Sequence, residues 1–139
     1  MQCPSCSGPM HELTYGRVRV DRCPACGSVW FDAHELAQAR RRKTLGAKRT
    51  KTIVQPLDRT AGYPCPRCQA DDMPLVKAQS FEVPRCGACR GFYFEGSAMR
   101  SLEERWRDQR ASRRVRLDEL QRAETLQRGA VLTAMIVAS

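Results

Sequence analysis

Cysteines at 3, 6, 23 and 26, and again at 65, 68, 86 and 89, are the residues of this sequence with the plainest chemistry. The first set reads C-x2-C-x16-C-x2-C and the second C-x2-C-x17-C-x2-C. Two residues between cysteines let both sulfurs point to one side of a tight turn. Two such pairs supply four soft ligands, the set that structural zinc takes in a tetrahedron. The same spacing makes a poor loop for a disulfide. The start of the chain, Met1-Gln2-Cys3-Pro4, has no apolar stretch of the kind that directs export. A reducing, cytoplasmic setting is therefore expected, where paired cysteines read as metal ligands. Two zinc ions per chain follow: one on Cys3, Cys6, Cys23 and Cys26, one on Cys65, Cys68, Cys86 and Cys89. His11 and His34 have no counterpart in the second set and read as ordinary histidines, because four cysteines already close each shell.

The elements that would position these sulfurs are legible too. Pro4, Pro24 and Pro66 follow their cysteines and pre-set φ for the turn; at Cys86 the following residue is Gly87, with Pro84 two residues before. Gly27 follows Cys26, and Gly8 and Gly91 lie two residues past Cys6 and Cys89, where glycine would allow positive φ and close approach of backbone to sulfur. Residues 12–15 and 17–21 flank Gly16, with Val18 and Val20 alternating with Arg17, Arg19 and Asp21, which predicts a hairpin. Residues 73–77 and 80–83 repeat it. A third short strand is expected at residues 28–31 and 91–94. Trp30 and Tyr93 share a slot straight after the second knuckle and read as core rather than as a base-stacking surface. Asp32 with Glu35 three residues on has the form of a capping box at a helix start.

The chain is thus one unit written twice at an offset of 62 or 63 residues. The expected fold class is small, metal-stabilised α+β: two tandem four-cysteine zinc ribbons, each a short antiparallel hairpin, followed by a long C-terminal α-helix. The segments are 1–36, first ribbon; 37–62, basic helix and linker; 63–96, second ribbon; 97–139, C-terminal helix with an apolar tail. In the joint, residues 37–45 extend a helix begun near His34, with Gly46 as its stop, and residues 50–62 read as loop, because they carry Pro56 and Gly62. After residue 97, a plausible N-cap serine, neither proline nor glycine interrupts the chain until Gly129. Met99, Leu102 and Trp106 recur at helical spacing, and Leu117, Leu120 and Leu126 continue the stripe imperfectly. One long helix, or two with a frayed middle, fits this pattern. The apolar residues from Ala130 to Ala138 are too few to span a bilayer, which needs about 20, so a membrane is not expected as a partner.

Both units resemble the TFIIB-type zinc-finger family. The first gives Cys3-Pro4-Ser5-Cys6, Cys23-Pro24-Ala25-Cys26-Gly27, then Val29-Trp30-Phe31-Asp32-Ala33-His34-Glu35-Leu36. It departs from the family's glycines at Ser28 and His34. The second, over residues 63–102, keeps all four cysteines but has Tyr93 for Trp, Glu95 for Asp and Ala98 for Glu. The resemblance implies a bacterial-type zinc-ribbon protein and leaves the function open, since fold does not fix function.

Charge narrows that function. The formal net charge is +9. Each four-thiolate site with its zinc carries −2, so two loaded sites leave the chain near +5. Arg40, Arg41, Arg42, Lys43, Lys48, Arg49 and Lys51 cluster in the joint, with no acid among residues 36–57, and form the expected phosphate-contacting surface. The alternative is a solvated linker. From Arg100 to Arg128, nine Arg stand against six acids, closer to a salt-bridged helix than to a basic region. Neither a phosphate loop, a Ser/His/Asp set nor a spare cysteine is present, and a closed zinc shell leaves no site for water. A binding protein, not an enzyme, is expected, with no small-molecule substrate: a nucleic-acid-binding or transcription-associated module, or else a protein-interaction adaptor using the ribbons and the C-terminal helix. A rubredoxin-like iron protein is a more distant third, since iron accepts the same ligands.

Overall fold

Two tight turns start the architecture. The structure, a computed structural model, describes residues 1–46 and 53–138. Strand β1 (His11–Tyr15) runs into β2 (Val18–Arg22) through Gly16 and Arg17, at φ +57° and +64°. Two successive positive φ values give the mirror-image turn whose twist suits a hairpin. In the second unit Gln79 and Ser80, at +53° and +68°, turn a later pair in the same way without any glycine. The register follows: Tyr15 faces Val18, and Ala78 faces Phe81. Val18 and Val20 turn inward, as their alternation predicts.

After each second knuckle comes the third strand, β3 (Val29–Phe31) and, in the other unit, its counterpart Phe92–Phe94. Between them lie α1 (Glu35–Lys43), β4 (Val54–Thr60), β5 (Pro74–Ala78) and β6 (Phe81–Pro84), so the counterpart is β7. Helix α2 (Gly96–Val137) completes the order. The strands form two sheets, β1-β2-β3-β7 and β4-β5-β6. The first crosses the repeat. Val29 pairs with Phe94, Trp30 with Tyr93 and Phe31 with Phe92, antiparallel. Equivalent residues therefore meet in reversed order about the Trp30–Tyr93 pair, the self-complementary geometry of a twofold interface. The two ribbons are fused through their third strands and are not beads on a linker.

That shared sheet separates two layers, because successive side chains on a strand point to opposite faces. Val29, Phe31, Phe92 and Phe94 join Val18, Val20, Leu36, Ala39, Met99, Leu102 and Trp106 in an apolar core under the helices. Phe31 and Phe94 meet edge to face at 5.6 Å. Trp30 and Tyr93 point the other way and pack with Met10, Met73 and the buried cysteines. Trp30 is a core residue, fully enclosed.

Three sequence expectations change. Within residues 50–62, Val54–Thr60 is a strand, not a loop: β4 pairs with β5, with a register shift between Pro56 and Thr60. It lies at a sheet edge, where a missing proline N–H is tolerated, so Pro56 misled as a breaker. Helix α1 ends at Thr44, and the left-handed residue is Leu45 at φ +57°, one before Gly46; the Gly46 N–H then closes on the Arg41 carbonyl at 3.0 Å. Helix α2 starts one residue before Ser97, with Glu95 as N-cap and no side-chain capping bond. The reason is packing. A Cβ at Gly96 would sit 2.0 Å from the Cys26 carbonyl oxygen, so the helix start is pressed onto the first unit's knuckle.

Helix α2 is continuous over 42 residues and passes through Gly129. Met99, Leu102 and Trp106 bury its first turns, whereas from Ala111 onward every described residue is exposed. An arm of about 40 Å projects from the body. Among the described residues no helix is long and apolar enough to cross a membrane.

Candidate metal centres

All four knuckles use one backbone device. The N–H of the first cysteine bonds the carbonyl five residues on, and the N–H four residues on bonds the cysteine's carbonyl. Cys3 N reaches Gly8 O at 2.8 Å, Cys23 N reaches Ser28 O at 2.9 Å, Cys65 N reaches Ala70 O at 2.9 Å and Cys86 N reaches Gly91 O at 3.0 Å. The return bonds come from Ser7, Gly27, Gln69 and Arg90. Those four residues carry positive φ, at 61°, 77°, 60° and 62°. The expectation that Gly8 and Gly91 take the left-handed conformation is therefore corrected by one position. Gly91 is small for another reason: a Cβ there would lie 2.1 Å from Trp30 Cζ2.

These turns bring the sulfurs together. Within each cluster all four Sγ atoms lie within 4.8 Å of one another. Cys3 and Cys26 are 3.5 Å apart, Cys6 and Cys23 3.4 Å, Cys65 and Cys89 3.7 Å, Cys68 and Cys86 3.4 Å. A disulfide would need about 2.05 Å. Tetrahedral thiolates at a Zn–S distance of about 2.3 Å stand about 3.8 Å apart, so both clusters fit a zinc-sized ion. His11 and His34 are exposed and belong to neither.

Hydrogen bonds to sulfur favour the thiolate that metal requires. Burial raises the Cys3 thiol, but the Tyr93 hydroxyl and the N–H groups of Cys6 and Ser5 outweigh it and bring the pKa down to about 6. Burial likewise opposes ionisation of Cys86, whose thiol the Cys89 and Ala88 N–H groups lower to about 7. At Cys65 burial dominates and pushes the thiol up to about 12. Four adjacent sulfurs do not all ionise unaided; a divalent cation among them removes the conflict.

Each centre is also braced by the opposite unit, which the sequence did not announce. Tyr93, from the second unit, places its hydroxyl 3.3 Å from Cys3 Sγ and 2.6 Å from Ser5 Oγ. From within the first unit, Ser28 Oγ also lies 3.0 Å from Cys26 Sγ. In the reverse direction Arg67, in the second unit's first knuckle, pairs through Nε with Asp32 at 2.7 Å and through Nη2 with Asp21. Asp32 also accepts from Trp30 Nε1 at 2.8 Å. Its carboxylate is thereby engaged and does not cap α1. Only the reciprocal half of the expected capping box forms, with the Asp32 N–H donating to Glu35 Oε2 at 2.7 Å.

Of the expected phosphate-contacting residues, Arg40, Arg41, Arg42 and Lys43 occupy the last turn of α1. Lys43 Nζ sits 4.1 Å over the Tyr15 ring. Lys48, Arg49 and Lys51 lie outside the described residues.

Compared with curated proteins and with solved structures, the chain has no match. Compared with family models, it matches the transcription factor zinc-finger, the TFIIB-type zinc ribbon, at residues 2–42 and again at 64–105. Those stretches make up more than half of the chain, and each holds one complete four-cysteine cluster in the knuckle geometry above. The chain belongs to the TFIIB-type zinc-ribbon family and carries two copies of its unit, joined through their third strands.

Proposed function

We propose that this protein is a structural zinc module, with one ion on each four-cysteine cluster, that binds nucleic acid in a transcription-associated role. The observation that carries the reading is the concentration of Arg40, Arg41, Arg42 and Lys43 in the last turn of α1, a helix packed against β2 and α2. Cations at a helix C-terminus stabilise it by about 0.3–1 kcal/mol each, but that effect needs one or two, not four in succession. Phosphate contacts need positive charge on a rigid frame and little else. Four protein ligands per ion close each shell, so the metal's work is folding and not chemistry.

The test is a titration of the zinc-loaded protein against duplex DNA, single-stranded DNA and RNA at two salt concentrations. Sub-micromolar binding with a steep salt slope, weakened by neutralising Arg40, Arg41, Arg42 and Lys43, is expected. No binding at low salt would sink the reading. Visible absorption from bound metal would replace zinc by iron.

A second reading, a protein-interaction adaptor, is favoured by the projecting arm. Leu117, Leu120, Leu126, Val131, Leu132, Met135, Ile136 and Val137 are all exposed on it. Concentration-dependent mass in analytical ultracentrifugation, abolished by Leu117→Glu with Leu120→Glu, would support self-association through this arm; a monomer at all concentrations would remove that form of it.

A further inference from the structure

Where α1 meets α2, the arginines of the joint are not alone. A groove of about 890 Å³ runs between the end of α1 and one face of α2. Arg40 and Arg41 form one wall. Arg105, Arg113 and Arg116 rise from the other, with Ser112 and Gln109 between them. A second trough of about 680 Å³ shares Arg40, Arg105 and Gln109 and extends past Lys77 to the hairpin turn at Gln79 and Ser80. The positive surface therefore draws on both repeats and on the helix that follows them.

We infer that this groove is a phosphodiester-backbone site for double-stranded nucleic acid, with α2 supplying the wall opposite Arg40 and Arg41. The inference rests on the nucleic-acid reading above and extends it to residues whose composition suggested a salt-bridged helix. Among the described residues, the side chains of Arg41, Arg113 and Arg116 form no ion pair, and neither do Glu104 and Asp108, the two acids in the groove. Arg113 has Gln109, Arg110, Arg116 and Leu117 as its helical neighbours three and four positions away, none of them acidic. Like charges at such spacing oppose one another, and an anion between the walls relieves that repulsion.

The chemistry of the walls selects the ligand. Every cation of the first groove is arginine, whose planar fork matches phosphate oxygens in pairs. From Ser101 to Arg116 the groove follows α2 for about 22 Å, which suits a run of phosphates rather than one small molecule. No aromatic residue lines it. Unpaired bases are held mainly by stacking on aromatic rings, and Trp30, Tyr93 and Trp106 are all buried elsewhere. A duplex, which offers its backbone and keeps its bases stacked, fits the walls.

Four zinc-loaded proteins separate the possibilities by fluorescence anisotropy: wild type, Arg40→Ala with Arg41→Ala, Arg113→Ala with Arg116→Ala, and Arg113→Lys with Arg116→Lys. Each is titrated with a duplex and with one of its single strands, at about 50 and 200 mM salt. Residues 113 and 116 lie on the exposed arm, so that variant keeps its fold, checked by zinc content and circular dichroism. The α2 variant is expected to lose roughly tenfold in duplex affinity per removed contact near 0.1 M salt, and its salt slope should fall by about 0.9 per contact. Arg113→Lys with Arg116→Lys should keep most of the slope. If the α1 variant weakens but the α2 variant binds like wild type, this inference fails and the nucleic-acid reading stands. If wild type binds the single strand more tightly than the duplex, the duplex assignment fails. If wild type binds neither, both fail together.

Discussion

Gly91 and Tyr93 show how much of this protein's stability is set by single atoms at the seam. Gly91 touches the Trp30 ring so closely that a methyl group has no room. Gly91→Ala should displace the ring and cost about 1–3 kcal/mol, as overpacked cores do; thermal melts of the zinc-loaded protein will measure it, and an unchanged melt would contradict the contact. Tyr93 serves the other unit's metal centre through its hydroxyl. Tyr93→Phe is expected to keep the fold and to weaken metal binding at Cys3, Cys6, Cys23 and Cys26 by tenfold or more, the usual effect of losing an outer hydrogen bond to a metal ligand. The second cluster, whose sulfurs the Tyr93 hydroxyl does not bond, should keep its affinity while the first ion stays bound. Chelator competition that resolves the two sites checks both halves of this expectation.

At the scale of elements, α2 behaves as two objects in one helix. Its first turns are fixed by Met99, Leu102 and Trp106, and Tyr15 packs beside Trp106 at 6.5 Å. Beyond residue 110 every described residue is exposed, so little tertiary packing supports the helix there, and tertiary packing is where most helical stability comes from. Amide hydrogen exchange should therefore be slow over residues 99–106 and faster by orders of magnitude over residues 111–138 in the free protein. Gly129 belongs to the weak part and has open space around it. Gly129→Ala should raise helicity by circular dichroism and stabilise the arm by about 1 kcal/mol, without altering the melt of the body. Uniform protection along all of α2 would mean that something covers the arm.

For the whole molecule, the pairing of β3 with β7 should make the two metal centres one cooperative system. Trp30 and Tyr93 are neighbours in one sheet, and Arg67 and Tyr93 each reach into the first unit. Cys23→Ser removes a ligand, and with it folding free energy supplied by the metal. The consequence should spread: the variant is expected to lose the first ion and also to melt its second unit at lower temperature than wild type. Chelation of the wild-type protein should release two zinc ions per chain within a single unfolding transition. Two well-separated transitions, or a second unit in Cys23→Ser that melts as in wild type, would show that the shared sheet does not couple them.

The sequence by itself determined the two four-cysteine clusters, the hairpins, both third strands and the helices that follow them. Those are local matters. Ligand spacing, alternation in Val18 and Val20, and helical recurrence in Met99, Leu102 and Trp106 are written within a few residues of one another. Even the choice between one long helix and two was left to the structure, because the polar stretch 107–116 satisfies either. What tertiary structure alone decided joins residues far apart. Trp30 meets Tyr93, Arg67 meets Asp21 and Asp32, and Gly96 meets Cys26, each across the repeat. No periodicity records such a contact; it exists only once two amphipathic units bury a common face. The same reason explains β4, whose Pro56 reads as a breaker until an edge position makes its missing N–H harmless. It also explains the arginine groove, whose two walls come from helices that more than fifty residues of sequence separate.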